Sequence, residues 1–117
     1  LRTALSKLEL LEPRSLEDAL CMLRDAQPLV PLAGCTDLYV SLEFGTLAAT
    51  RFVDLWRCSA LQRIELRGEN LAIGALATYT RIRRSRHVKR YVPMLAHAAA
   101  EVGGVQIQNR GTIGGNV

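Results

Sequence analysis

The first half of the chain switches between two hydrophobic periods. Leu8–Glu12 is a short run rich in leucine that Pro13 ends, which predicts a strand. Ser15 stands three residues before Asp18, the spacing of a capping box, and Leu16, Ala19, Leu20 and Leu23 follow at i, i+3, i+4 and i+7. That spacing predicts a helix from about Leu16 to Ala26 with one apolar face. Pro28–Ala33 is again apolar, and because Pro31 has no amide to give a central antiparallel strand, the run predicts a short buried strand stopping at Gly34. A second helix is expected to begin at Thr36 or Asp37, run towards Glu43 and close at Gly45. Arg51–Leu55 reads as a third strand. The order β-α-β-α-β predicts a parallel sheet with right-handed crossovers.

The pattern then changes. Arg63–Arg67 alternates, Gly68-Glu69-Asn70 supplies a three-residue connection, and Leu71–Gly74 returns, which predicts a hairpin. Two helices are expected after it, near Thr80–Arg84 and over Pro93–Val102. The second has Pro93 near its first position, a run of alanines, and Gly103-Gly104 as its stop. The boundary falls within 56–62, so residues 1–58 read as a small α/β unit and 59–117 as the beginning of a second, α+β unit. Neither repeats nor low-complexity tracts interrupt them.

With 49% hydrophobic and 22% charged residues in 117, the chain has the composition of a folded domain and excludes disorder. No apolar run approaches the ~20 residues of a membrane span, and no signal pattern follows Leu1. A start at Leu1 instead of Met is expected of a processed chain or a piece of a longer one. Cys21, Cys35 and Cys58 form no C-x-x-C and have no close histidine, which argues against zinc or iron–sulfur ligation here. A disulfide framework is not expected either, because a chain of this length can bury a core without one, and a reducing cytoplasm is expected. Cys21 is expected to be a small buried hydrophobe and Trp56 a packing residue where the units join. The net charge of +4 is local: Arg81, Arg83, Arg84, Arg86, Lys89 and Arg90 supply six positive charges with no acid among them. Only Tyr79 and Tyr91 flank this stretch, too few aromatics for nucleic-acid recognition, so it reads as a solvated helix face or a partner surface. His87 and His97 have no nucleophile or carboxylate at a suggestive spacing and are read as structural.

Two loops carry candidate chemistry. In Leu32-Ala33-Gly34-Cys35-Thr36-Asp37-Leu38 a strand end turns into a helix start. Gly34 permits positive φ or close approach, and the amides of Cys35, Thr36 and Asp37 would be spare donors for a phosphate. The same residues also suit an ordinary βα turn capped by Thr36 or Asp37. In Asn109-Arg110-Gly111-Thr112-Ile113-Gly114-Gly115-Asn116, the pair Gly114-Gly115 is expected to present bare amides as an anion-binding concavity, flanked by Thr112 and Asn116. A surface loop without a ligand is the alternative. Neither loop is a P-loop or a dinucleotide fingerprint. Two phosphate-favouring loops suggest a pyrophosphate held from two sides.

Pro31–Leu38, Val53-Asp54-Leu55, Ile73-Gly74-Ala75 and Gln106–Asn116 together resemble the FAD-binding subunit of molybdenum hydroxylases. That family includes carbon monoxide dehydrogenase medium subunits and the flavin domain of xanthine dehydrogenase and aldehyde oxidase. Pro13–Leu20 resembles its opening helix. The resemblance implies an α+β, PCMH-type FAD-binding fold. It also implies cofactor contacts from Leu32, Ala33, Gly34, Cys35, Thr36, Asp37 and Leu38 and from Thr112, Ile113, Gly114, Gly115 and Asn116. Val102, ten residues before Thr112, takes a family position beside the cofactor. Cys35 stands where many members carry glycine and others asparagine, which makes the backbone amide the working part and φ the point of constraint. In the family the domain continues well beyond the T-I-G-G-N motif, so a chain ending at Val117 is expected to hold less than half of it and to bind FAD poorly alone.

What the resemblance implies for function is an FAD-binding electron-transfer component. The molybdenum cofactor and 2Fe–2S clusters would lie on partner subunits or domains, and electrons would pass through FAD to an external acceptor such as NAD, a quinone or oxygen. The residues offer no convincing acid, base or nucleophile, since the redox chemistry belongs to the cofactor. The competing readings are a self-contained FAD-dependent oxidoreductase with its own substrate site, and a non-enzymatic module binding through Arg81–Arg90.

Overall fold

The computed structural model describes residues 7–117 and is α+β, divided into one unit that ends at Cys58 and a second that begins at Ser59. In the first unit the strands β1 (Glu9–Leu11), β2 (Val30–Leu32) and β3 (Arg51–Asp54) form a sheet in the order β1-β3-β2, and both pairings are parallel. Helices α1 (Leu16–Asp25) and α2 (Leu38–Glu43) occupy the crossovers. The central strand is buried on both faces, because its consecutive Phe52 and Val53 point to opposite sides and both are inaccessible. Pro31 sits on an edge strand, where its missing amide costs no ladder bond. That strand is half-buried, not the fully buried one its composition suggests. Arg51 ties the layer together: Nε donates to Glu9 Oε2 at 2.8 Å and Nη1 to the Ala26 carbonyl at 2.8 Å.

Helix α1 is capped by Ser15, whose Oγ accepts from the Asp18 amide at 3.0 Å. The reciprocal bond differs from a standard capping box, since the Asp18 carboxylate accepts from the Arg14 amide instead of that of Ser15. The buried face is centred on Ala19. Leu20, one position and about 100° further round, is 58% exposed, so it does not belong to that face; Cys21 is half-buried. Gly45, at φ 66°, closes α2 with a Schellman pair: Thr46 N donates to Ser41 O and Gly45 N to Leu42 O.

The second unit opens with a 3₁₀ turn at Ser59–Leu61 and the antiparallel hairpin β4 (Ile64–Arg67) and β5 (Asn70–Ile73). Asn70 pairs with Arg67, so the connection is the two residues Gly68-Glu69, one shorter than the sequence suggests. Gly68, at φ 60°, occupies the first central position, where the twist-matched hairpin turn of type II′ requires glycine. Five short helices follow: α3 (Tyr79–Arg84), α4 (Arg86–Tyr91), α5 (Pro93–Ala100), α6 (Val105–Arg110) and α7 (Ile113–Asn116). Of these, α4, α6 and α7 are not apparent from hydrophobic spacing, because six residues or fewer hardly cover one apolar repeat. Ala77, Tyr79, Ile82, Val88 and Ala99 form the core, with Ile64, Ile73, Leu95 and Val102 packed around it.

Among the described residues, no helix is long and apolar enough to cross a membrane. The cationic stretch lies on α3 and α4, with Arg81, Arg84, Arg86, Lys89 and Arg90 exposed and Ile82 and Val88 buried beneath them. His87 and His97 are exposed and so are not packing residues.

Candidate functional site

The first loop leaves the carboxyl end of β2, the end of a parallel sheet at which ligands bind in open α/β folds. Its start is fixed by the neighbouring strand, since the Leu55 amide donates to the Leu32 carbonyl at 2.9 Å. Leu32–Thr36 and Leu38 are half-buried and Asp37 is exposed. The left-handed residue is Cys35, at φ 65°, one position later than Gly34. Its carbonyl accepts from Tyr39 N at 3.0 Å, which starts the turn into α2 and leaves the amides of Thr36, Asp37 and Leu38 ahead of the first helical bond. Asp37 takes the N-cap position without a side-chain capping bond. The Cys35 thiol donates to the Ala33 carbonyl at 3.4 Å, folding the side chain back on its own loop.

A non-glycine residue in this region costs about 1–2 kcal/mol, and β-branching makes it worse. Cys35 already bears that cost, so Cys35→Val is expected to lower unfolding free energy by the further strain of β-branching, about 1 kcal/mol. Cys35→Gly should leave it unchanged or raise it, because strain relief offsets the entropy of glycine in the unfolded chain. Urea denaturation of the two variants checks this; a valine variant as stable as the glycine one would contradict it.

The second loop is held along its length by the segment that follows the hairpin. Tyr79 N donates to Gly111 O at 3.2 Å, Thr78 bridges Thr112, Ile113 N donates to Ala77 O at 3.1 Å and Gly114 N to Ala75 O at 2.8 Å. The expectation of two bare amides is therefore corrected: the Gly114 amide belongs to the fold. Thr112 is buried, Ile113 packs at the edge of the core, and Gly114, Gly115 and Asn116 are exposed. Gly114 is glycine because a Cβ there would lie 2.8 Å from both the carbonyl oxygen and the Cβ of Ala75. At Gly115 the nearest atom to such a Cβ is Thr112 Oγ1, at 3.3 Å. Val102 packs against the core cluster of its own unit.

A buried side chain that sequence reasoning passes over orients α6 ahead of this loop. Gln108, 3% exposed, donates through Nε2 to the carbonyls of Ala100 and Gly103 and accepts at Oε1 from Arg83 Nη1. Its only sequence signal is a polar residue in a segment too short for periodicity to place on a face. Burial, with a smaller contribution from Asp54, pushes the Cys58 thiol up, so that cysteine stays protonated and inert. Among the described residues no three His, Cys, Asp or Glu side chains gather as a metal ion requires.

The first unit thus carries a glycine-bearing loop at the carboxyl end of a parallel strand, and the second carries a Thr-Ile-Gly-Gly-Asn turn bonded to its own residues 75–79. The chain belongs to the family described as the FAD binding domain in molybdopterin dehydrogenase, matched over residues 6–117. It is 33% identical over 111 residues to the nicotinate dehydrogenase FAD-subunit of Eubacterium barkeri, covering 93% of this chain and 38% of that one. The xanthine dehydrogenase FAD-binding subunit of Escherichia coli O157:H7 is 33% identical, with coverages of 88% and 36%. Among solved structures, quinoline 2-oxidoreductase of Pseudomonas putida 86 superposes with a TM-score of 0.86 at 30% identity, covering 92% of this chain and 38% of that one. Carbon monoxide dehydrogenase of Hydrogenophaga pseudoflava superposes with a TM-score of 0.88 at 29% identity, with coverages of 94% and 39%. The chain thus spans little more than a third of the length of these relatives.

Proposed function

We propose that this chain supplies the FAD pyrophosphate-binding part of an electron-transfer component of a molybdenum hydroxylase. The observation that carries the proposal is the Cys35 turn. A left-handed residue at the carboxyl end of a parallel strand frees successive amides, and unpaired amides at such a turn suit the oxygens of a pyrophosphate. From the first loop we assign the amides of Thr36, Asp37 and Leu38 to the cofactor, with Leu32, Ala33 and Gly34 shaping the approach. From the second we assign the Gly115 amide and the Asn116 carboxamide. Gly114, Ile113 and Thr112 hold that turn in place, and Val102 serves through the core beneath it. Each loop offers neutral donors, which suit the oxygens of an anion.

When bound, FAD supplies the redox chemistry. The chain's own share is to hold and orient the cofactor, and it contributes no acid, base or nucleophile. Iron–sulfur clusters on a partner would deliver electrons from a molybdenum centre, and an external acceptor would remove them. Cysteines that are few, odd in number and outside any C-x-x-C support residence in a reducing cytoplasm.

Equilibrium dialysis of the full-length polypeptide against FAD tests the proposal. Tight binding that is lost on disruption of either loop supports it, and the absence of FAD binding overturns it. The exposed cations of α3 and α4 lie outside both loops, so the charge reversals Arg84→Glu and Arg86→Glu should leave FAD affinity within about three-fold, the scale of screened surface charge. A large loss in the same dialysis would show that this face touches the cofactor.

A further inference from the structure

A groove of about 630 Å³ in the second unit contains none of the residues assigned to FAD. The groove is wide open to solvent, so it suits a small polar group and would not enclose an apolar ligand. One wall is the apolar side chain of Ile64, and the rest is polar. The direction of its hydrogen bonds gives the groove its character. Thr78 Oγ1 accepts from the Arg81 amide at 3.2 Å and Ser85 Oγ accepts from the Val88 amide at 3.3 Å. Each hydroxyl thereby engages a lone pair in capping a helix and keeps its proton to donate. Thr80 Oγ1 donates to Asn109 Oδ1, which engages one lone pair of the carboxamide oxygen and leaves its NH₂ as a donor.

Two guanidinium groups complete the lining. Arg81 spends Nη1 on the Gln62 carbonyl and keeps its remaining donors, and Arg84 is exposed. No carboxylate lines the groove, and among the described residues neither arginine is in an ion pair. Internal bonds thus leave donors on Thr78, Ser85, Asn109 and the two arginines along the groove, while Thr80, its proton given to Asn109, is left there as an acceptor.

We propose that this groove binds a phosphate group carried by a small molecule, at a site that adjoins the second loop at Asn109 but uses none of the residues assigned to FAD. A phosphate offers at least three acceptor oxygens to donors that converge from Thr78, Ser85, Asn109 and the arginine pair, whereas a carboxylate offers two in one plane. Charge-assisted contacts from guanidinium groups are the strong members of such a set. The site stands whether or not the FAD assignment does, since no residue is shared.

The test titrates inorganic phosphate into the full-length, FAD-loaded protein by calorimetry at constant ionic strength, with acetate and adenosine monophosphate as parallel probes. Saturable phosphate binding is expected, with acetate at least about ten-fold weaker, the worth of one charge-assisted bond. Tighter binding of the nucleotide would identify a nucleotide ligand, and equal binding a free oxyanion; both support the site. Arg84→Gln should weaken phosphate about ten-fold. Asn109→Asp, which keeps the acceptor for Thr80 and replaces the donor by a carboxylate, should weaken it at least as much. Arg86→Gln, which removes an equal charge from outside the groove, should change it less than about two-fold. Circular dichroism confirms that the variants fold. The proposal fails if phosphate does not saturate, if acetate binds as well, or if Arg86→Gln matches Arg84→Gln. It fails also if protein freed of FAD binds phosphate only in competition with added FAD, which would make the groove part of the flavin site.

Discussion

Replacement of Gly114 by valine in the full-length polypeptide should abolish FAD retention while residues 7–58 remain folded. The new Cβ would fall 2.8 Å from the Ala75 carbonyl oxygen, a backbone atom that cannot swing aside like a side-chain tip. The turn must lift, breaking the Gly114 N to Ala75 O bond and straining Ile113 N to Ala77 O beside it. Two charge-assisted contacts to the cofactor, at about 1.5–3 kcal/mol each, then lose their geometry, which amounts to about 100-fold or more in affinity. Dialysis against FAD and hydrogen exchange over the first unit read the two halves of the expectation. Gly115→Ala gives the contrast: its Cβ meets only Thr112 Oγ1, so it should weaken FAD with little change in stability. Unchanged FAD binding by the Gly114 variant would contradict the account of this turn.

Gly74→Ala should be the most damaging single-methyl change in the second unit. Its Cβ would lie 2.1 Å from the Leu61 carbonyl oxygen and 2.5 Å from the Leu61 carbonyl carbon. The residues around it are locked in the same place, with Gly74 N donating to Arg63 O and Leu76 N to Leu61 O, both at 2.8 Å. Relief therefore needs the hairpin to separate from the 59–63 segment, at a cost of about 3 kcal/mol or more. Gly68→Ala provides a scale: nothing lies within 4 Å of its Cβ, and only the positive φ is violated, for about 1–2 kcal/mol. Thermal unfolding of the two variants should rank them clearly, and equal midpoints would contradict the close approach at Gly74.

Much of the first unit is legible in the sequence because its signals are local. Ser15 marks the start of α1, Gly45 ends α2, and Pro31 excludes a central antiparallel strand, so the parallel β-α-β-α-β order follows from capping, turn and breaker chemistry. Leu20 escapes that reading because helical spacing defines a stripe without saying which edge meets the sheet. In the second unit, α4, α6 and α7 are too short for periodicity, and long-range contacts define them: Ile82, Val88 and Ala99 meet in one core, and Gln108 reaches Arg83, Ala100 and Gly103. The glycines of the second loop mark the right place for a mixed reason. Composition indicates backbone freedom at Gly114, whereas the structure shows a close approach to Ala75, a residue some forty positions away that local pattern does not connect to it. Cys35 is the converse, since only its φ of 65° shows that it, and not Gly34, takes the left-handed conformation that glycine and asparagine favour.

Amide hydrogen exchange of the full-length polypeptide with and without FAD tests the central claim most directly, because it reads both loops in one experiment. FAD should slow exchange at Thr36–Leu38 and at Gly115 together, by at least about ten-fold at each, as expected when a spare amide gains a charge-assisted bond. Gly114 should show little additional protection, its amide being bonded to Ala75 already. Protection confined to one loop, or absent from both while FAD is bound, would contradict a pyrophosphate held from two sides.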